Sequence, residues 1–153
     1  MTTAEARELW VKALRSGKYI QGEGRLRDVN FRGEAVFCCL GVACDLYAKH
    51  TGNGYWDDDG IDGSFSFVTD IDHSDIALPR EVANWLGLDT VTGEFRHPTD
   101  TYYQDEYGAE HLFHAAGEPC DLTCMNDNHG ATFEEIADLI ESNPDNLILI
   151  DVN

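Results

Sequence analysis

Phe37-Cys38-Cys39-Leu40-Gly41-Val42 sets two adjacent thiols where a strand candidate runs into a helix. A thiol at a helix N-terminus has its thiolate stabilised by the helix dipole, which lowers its pKa. With a histidine base and an Asn or Asp to orient it, such a thiol becomes the nucleophile of a cysteine hydrolase. His97, His111, His114 and His129 are the candidate bases, and Cys38 or Cys39 with His129 is the pairing this reading would use. The plainer reading makes both cysteines small buried hydrophobes and Gly41 a point of close packing. We adopt the plainer reading and assign no catalytic residue.

Cys120-x3-Cys124 has tolerable spacing for zinc, with Cys38 or Cys39 and His111 or His114 to complete a set. The strong signal, two C-x2-C pairs, is missing, so neither a metal nor any other cofactor is expected. Asp57-Asp58-Asp59-Gly60-Ile61-Asp62 invites calcium but fails the EF-hand test. Placing Gly60 or Gly63 at the sixth loop position leaves Ser66 or Thr69 where a bidentate Glu belongs. A solvated acidic turn is the expectation.

Gln21-Gly22-Glu23-Gly24-Arg25-Leu26-Arg27 holds a loose G-x-G without the third glycine and without a following helix. Its backbone amides, with Gln21, Arg25 and Arg27, could still hold a phosphate. Asn126 and Asp127, in the polar stretch Met125–Gly130 before the last helix, could complete that site. The competing expectation is a β-turn whose arginines pair with local acids, and Asx turns at Asn126 and Asp127.

The elements that must position these groups are short. Thr2 and Glu5 form a capping box for a helix over 2–16, with Leu9, Trp10, Ala13 and Leu14 on its buried face. Tyr19-Ile20, 26–31 and 35–37 read as strands, with Arg32-Gly33-Glu34 as a hairpin turn. Residues 39–49 read as a helix with a broad apolar stripe. Residues 52–77 are turn-rich, with one strand candidate at 64–69. Leu78-Pro79 opens a short helix over 80–86 closed by Gly87, and 91–97 reads as a strand. Residues 98–124 mix Tyr102, Tyr103 and Tyr107 with Asp105, Glu106 and Glu110, which fits an exposed loop or an acidic helix. Thr132 and Glu135 cap the last helix, over 132–142, and Asn143-Pro144 stops it. The tail LILIDV is either a final strand or a sticky segment. With no repeat or linker in 153 residues, the expectation is a single α+β domain over 1–153, three or four helices around a small, mostly antiparallel sheet.

Charge separates the two parts of the chain. Residues 1–50 hold eight of the ten basic side chains and six acidic ones. Residues 51–153 hold 23 acidic side chains against Arg80 and Arg96, a net of −21. Nucleic acid and anionic membrane are therefore poor partners, and a basic surface on another protein is a good one. Salt adaptation is the alternative explanation, since Asp outnumbers Glu 17 to 12 and lysine occurs three times. No apolar run reaches the ~20 residues of a membrane span, and no leader-like pattern opens the chain. Five cysteines without such a leader imply free thiols in a reducing compartment.

Several segments taken in order resemble a family of small uncharacterised bacteriophage proteins. They are Leu9-Trp10-Val11-Lys12-Ala13-Leu14-Arg15-Ser16-Gly17 with Tyr19 and Gln21-Gly22; Gly24 to Arg27; Phe37 to Val42 with Cys44-Asp45; Leu78-Pro79 with Trp85 to Leu88; and Met125-Asn126-Asp127 followed by Thr132 to Ala137. The resemblance implies a phage setting, in the cytoplasm of a bacterial host, and no activity. Charge and setting together lead to the expectation of a non-enzymatic accessory protein. Asp57, Asp58, Asp59, Asp62, Asp105, Glu106 and Glu110 would stand in for phosphates and block a basic nucleic-acid-binding site of a host protein, such as a defence nuclease complex. The alternatives are a binding domain for a small phosphorylated ligand and the cysteine hydrolase above.

Overall fold

A computed structural model describes residues 1–58 and 64–148. The first half runs α1 (Thr3–Arg15), β1 (Ile20–Gln21), β2 (Arg27–Val29), β3 (Ala35–Phe37), α2 (Cys39–Thr51), β4 (Tyr55–Asp58), β5 (Phe65–Val68) and β6 (His73–Ser74). The second runs α3 (Arg80–Leu86), β7 (Glu94–Arg96), β8 (Thr101–Gln104), β9 (Glu110–His114), β10 (Pro119–Asp121), α4 (Leu122–Asp127) and α5 (Phe133–Glu141). The class is α+β with one hydrophobic core.

α2 occupies the middle of that core. Its residues from Cys39 to Cys44, with Leu46 and Tyr47, are buried. α1, α3 and α4 pack around it. Trp10 of α1 is fully buried, and its indole N–H donates to the Cys39 carbonyl at 2.9 Å, so one of the largest core side chains also satisfies its polar atom. The capping boxes expected at Thr2 and Thr132 are both formed, with Glu5 and Glu135 closing them.

Helices α1 and α5, from opposite ends of the chain, lie against each other. Arg15 clamps them, reaching Asp138 and Glu141 at 2.6 Å each and Glu134 at 3.6 Å. The three acids lie on α5 or its first turn and repel one another without the guanidinium. Arg15→Ala is therefore expected to lower the melting temperature at low ionic strength and to have little effect at high salt, because the pairs are exposed and screened. Thermal scans of both chains at two salt concentrations check this.

The sheets are small and separate. β1 and β2 flank β3 in the order β1-β3-β2, with β1 parallel and β2 antiparallel to it. The expected turn at 32–34 is present, organised by the Asn30 side chain accepting from the Arg32 and Glu34 amides. β4-β5-β6 form an antiparallel meander where one strand was expected. β10 pairs with β7, and β8 with β9.

Two expectations need correction. Residues 98–124 are neither one exposed loop nor an acidic helix: they form the β8–β9 hairpin and β10, and only 122–124 are helical, as the start of α4. No period-2 burial marks the hairpin, since both its faces are largely wet. Met125, Asn126 and Asp127 are helical rather than a polar loop, so the described residues hold five helices instead of three or four, and four small sheets instead of one. Of the tail, Leu147 is buried and Ile148 bridges Leu88, while 149–153 lie outside the described residues.

Candidate functional site

The β8–β9 hairpin carries the acidic residues expected between 105 and 110. Its register sets Tyr102 opposite Leu112, Tyr103 opposite His111 and Gln104 opposite Glu110. Large apolar side chains stay exposed on it: Tyr107 at 87%, with Tyr102, Leu112, Tyr103 and Phe113 around half. The expected acids divide into two kinds. Glu106 and Glu110 are exposed. Asp105 instead builds the turn, accepting from the Tyr107 and Ala109 amides at 2.9 Å and from the His111 ring at 2.8 Å. The His111 contact, then the Ala109 amide, hold its carboxyl below the usual range. Asp57 and Asp58 are exposed on β4, in a sheet separate from the hairpin. Asp59 and Asp62, and with them most of the calcium-like segment, lie outside the described residues.

Cys38 and Cys39 do meet a helix start, since Cys38 is the N-cap of α2. The expected fall in pKa is reversed. Burial outweighs the donation from the Gly41 and Leu40 amides and pushes the Cys38 thiol up to about 11, and burial likewise raises Cys39. Cys39 Sγ donates to the Leu122 carbonyl at 3.7 Å. His129, the base of the hydrolase reading, contacts Cys124 rather than either of them. Cys38, Cys39 and Cys44 are buried, while Cys120 and Cys124 are half-exposed. A neutral thiol reagent is therefore expected to label at most Cys120 and Cys124 in the native protein. The other three should react only on unfolding, as peptide mapping after timed quenching would show.

The alternative ligand set is divided. Gln21, Asn126 and Asp127 meet, but as a closed structural network. Asn126, 1% exposed, accepts from Gln21 Nε2 at 2.9 Å and from the Cys39 amide at 3.3 Å, and donates to the Gly22 carbonyl and to Asp127, both at 2.8 Å. Gln21 also donates to the Ala131 carbonyl. Arg25 pairs with Asp75 at 3.5 Å, and Arg27 lies over the rings of Phe65, Phe37 and Trp56. Arg25 thus pairs with an acid 50 residues away rather than, as expected, with one local to its turn. All three lysines, Lys12, Lys18 and Lys49, line a groove of about 590 Å³ floored by Tyr19, Ile20 and Phe37.

A cluster of thiols and imidazoles forms where β9, β10 and α4 converge. One donor atom each of Cys120, Cys124 and His129 lies within 4.8 Å of the others. Cys124 Sγ is 3.5 Å from His129 Nε2. His129 Nδ1 is 3.4 Å from His114 Nε2 and 3.3 Å from Met125 Sδ. His97 stacks on His114 with ring centroids 4.2 Å apart. Burial, followed by His114, pushes the His97 and His129 pKa values down, and burial raises the Cys120 thiol to about 11. The sequence shows the Cys120-x3-Cys124 spacing, but the histidine it lacks is five residues after Cys124, across the α4 C-terminus. Only the fold of that turn, with the His129 amide on the Cys124 carbonyl at 3.1 Å, reveals the partnership.

The chain belongs to a family described as a domain of unknown function, DUF8296, which matches residues 2–144. The match spans the core, the hairpin and the thiol–imidazole cluster. No curated protein and no solved structure matches it. No helix among the described residues is long and apolar enough to cross a membrane.

Proposed function

We propose that the chain acts by binding a basic protein surface through the β8–β9 hairpin. The observation that carries this reading is a hairpin with Tyr102, Tyr103, Tyr107, Leu112 and Phe113 exposed among Glu106 and Glu110. Exposed apolar clusters of this kind mark interaction sites, and tyrosine is enriched among residues that dominate binding energy. Asp105 preorganises the tip, so less ordering entropy is lost on docking. Charge selects the partner, because residues 51–153 carry 21 excess negative charges. The resemblance to phage proteins makes a nucleic-acid-binding host protein the class of target and phosphate mimicry the mode. On this reading Glu106, Glu110, Asp57 and Asp58 supply charge, the tyrosines supply contact area, and Asp105 holds the shape.

The test is capture from bacterial lysate by the immobilised full chain, followed by competition on the purified captured protein. Tyr107→Ala is expected to cost about 2 kcal/mol of binding. Glu106→Gln with Glu110→Gln should slow association mostly at low salt, where electrostatic reach is ~30 Å at 0.01 M against ~8 Å at 0.15 M. Duplex DNA should release the partner. If the partner stays bound in saturating DNA, or the hairpin variants retain full affinity, this reading fails.

A second reading, a small anionic ligand, is favoured by one observation, the gathering of all three lysines at the Tyr19–Phe37 groove. Glu34 and Asp45 line the same groove, and Lys49 is paired with Asp45 at 2.9 Å. That leaves Lys12 and Lys18 to hold the anion. Nucleotide binding that is lost in Lys12→Ala with Lys18→Ala would make this the better account.

A further inference from the structure

We propose that Cys120, Cys124 and His129 form a zinc site at the junction of β10 and α4, with His114 as the outer partner that fixes the His129 ring. Two thiolates and an imidazole are a soft donor set, suited to zinc and poorly suited to magnesium or calcium. Zinc holds sulfur at ~2.3 Å and nitrogen at ~2.0–2.1 Å, so tetrahedral ligands stand roughly 3.3–3.8 Å from one another. The 3.5 Å from Cys124 Sγ to His129 Nε2 is already at that spacing, and the whole trio lies within 4.8 Å, so closure needs about an ångström of movement.

The backbone holds the trio in place without metal. Cys120 sits in β10 opposite Phe95 of β7, and Asp121 caps α4 by accepting from the Cys124 amide at 2.7 Å. The imidazole orientation has its own support. With Nε2 on the metal, His129 carries its proton on Nδ1, 3.4 Å from His114 Nε2 and also near Met125 Sδ. His114 then carries its proton on Nδ1, which faces Glu118 Oε2 at 3.6 Å. That nitrogen is buried and has no hydrogen-bond partner. Closing that 3.6 Å gap on metal binding would complete a carboxylate–His–His line ending on a metal ligand, the outer arrangement that fixes ring tautomer in metal sites. His114 also ends β9, so the metal would tie the base of the hairpin to α4. Three protein ligands leave the fourth position to water. As the two Zn–S bonds form, the two S–H protons pass to solvent.

The acidic surface makes any cation uptake ambiguous unless the readout reports on sulfur. The reduced, chelator-stripped full chain is therefore titrated with Co2+ and then Zn2+. The expected result is one equivalent bound, with thiolate-to-cobalt charge-transfer absorption, displaced by Zn2+ and not by excess Mg2+, and with proton release on zinc binding. Cys124→Ser and Cys120→Ser should each lower zinc affinity more than ~100-fold, and His114→Gln by ~10–100-fold. Glu8→Gln, on the exposed face of α1, should leave zinc affinity unchanged. Circular dichroism of the apo variants establishes that they are folded, and Cys120→Ser, at a half-exposed site, serves if Cys124→Ser is not. Three results would overturn the proposal. One is cobalt bound without a charge-transfer band. Another is equal zinc uptake by the Cys120→Ser/Cys124→Ser double variant, which would mean adventitious carboxylate binding. The third is a reduced chain that takes no zinc and instead oxidises to a Cys120–Cys124 disulfide.

Discussion

Gly41→Ala is expected to destabilise the chain by about 3 kcal/mol or more, the upper end of overpacking costs, and to leave much of it insoluble on expression. A methyl at this position would stand 1.7 Å from the Leu26 carbonyl oxygen and 2.6 Å from its carbon. Both are backbone atoms, and neither can swing away. Leu26 is fully buried, and its amide donates to the Asp75 carbonyl at 2.8 Å, so the bend leading into β2 is pinned from its far side. The helix is no freer, since α2 is held on its other faces by α1, α3 and α4. A domain of this size has ~5–15 kcal/mol of stability to lose, and a 3 kcal/mol loss lowers the melting temperature by roughly 6–12 °C. Gly22→Ala is the informative comparison. Its methyl would meet Val36 Cγ2 at 2.8 Å and Cβ at 3.0 Å, a milder clash than the 1.7 Å to the Leu26 carbonyl oxygen, so the cost should be smaller. Equal melting temperatures for Gly41→Ala and the parent chain would refute this account of the contact between α2 and Leu26.

The same residue shows what the sequence discloses. Phe37-Cys38-Cys39-Leu40-Gly41-Val42 reads as a strand running into a closely packed helix, and that is its place in the fold. Both capping boxes and α3 with its Gly87 cap are equally visible, because local chemistry decides them. The hairpin is not visible. Its alternation of Tyr102, Tyr103, Leu112 and Phe113 faces water on both sides, so no burial period separates it from a loop. Asp105 looks like any surface acid until the turn it organises is seen. Two candidate sites fail to assemble for physical reasons. Cys38 lies at a helix N-terminus, but burial dominates the dipole there. Arg25 and Gln21 are close in sequence, yet one pairs with Asp75 while the other turns inward to Asn126. The cysteine–histidine trio needs a turn at the end of α4 that no spacing rule describes.

Asn126→Asp, a change of one atom, is expected to cost about 3–5 kcal/mol at pH 7 and to recover much of that loss in acid. The native amide uses both of its ends. Oδ1 accepts from Gln21 Nε2 and the Cys39 amide, and Nδ2 donates to the Gly22 carbonyl and to Asp127 at 2.8 Å each. The substitution puts an acceptor where that donor stood, facing a carbonyl oxygen and a carboxylate at a site 1% exposed. Ionised, the new carboxyl leaves the Gly22 carbonyl unpaired and confronts the partly buried Asp127 with little water to screen them. Protonated, it can donate to one of the two oxygens. Burial and Asp127 both disfavour the charged form, so its pKa in the folded chain lies above the ~3.9 of the unfolded chain. For a group raised in this way the unfolded state releases its proton first. The penalty is therefore smallest below about pH 4 and grows as pH rises towards the folded-state pKa. Between those limits each pH unit changes the difference from the parent by at most about 1.4 kcal/mol. Urea unfolding of both chains at two pH values measures it, and taking the difference cancels the general repulsion of a chain with net charge −19. Asn126→Ala separates charge from shape, because it strands the Cys39 amide and the Gly22 carbonyl without adding a titrating group. Its cost should not follow pH. If the two variants lose the same stability at every pH, the polar centre tolerates a carboxylate and the account of Asn126 as a fully paired hub is wrong.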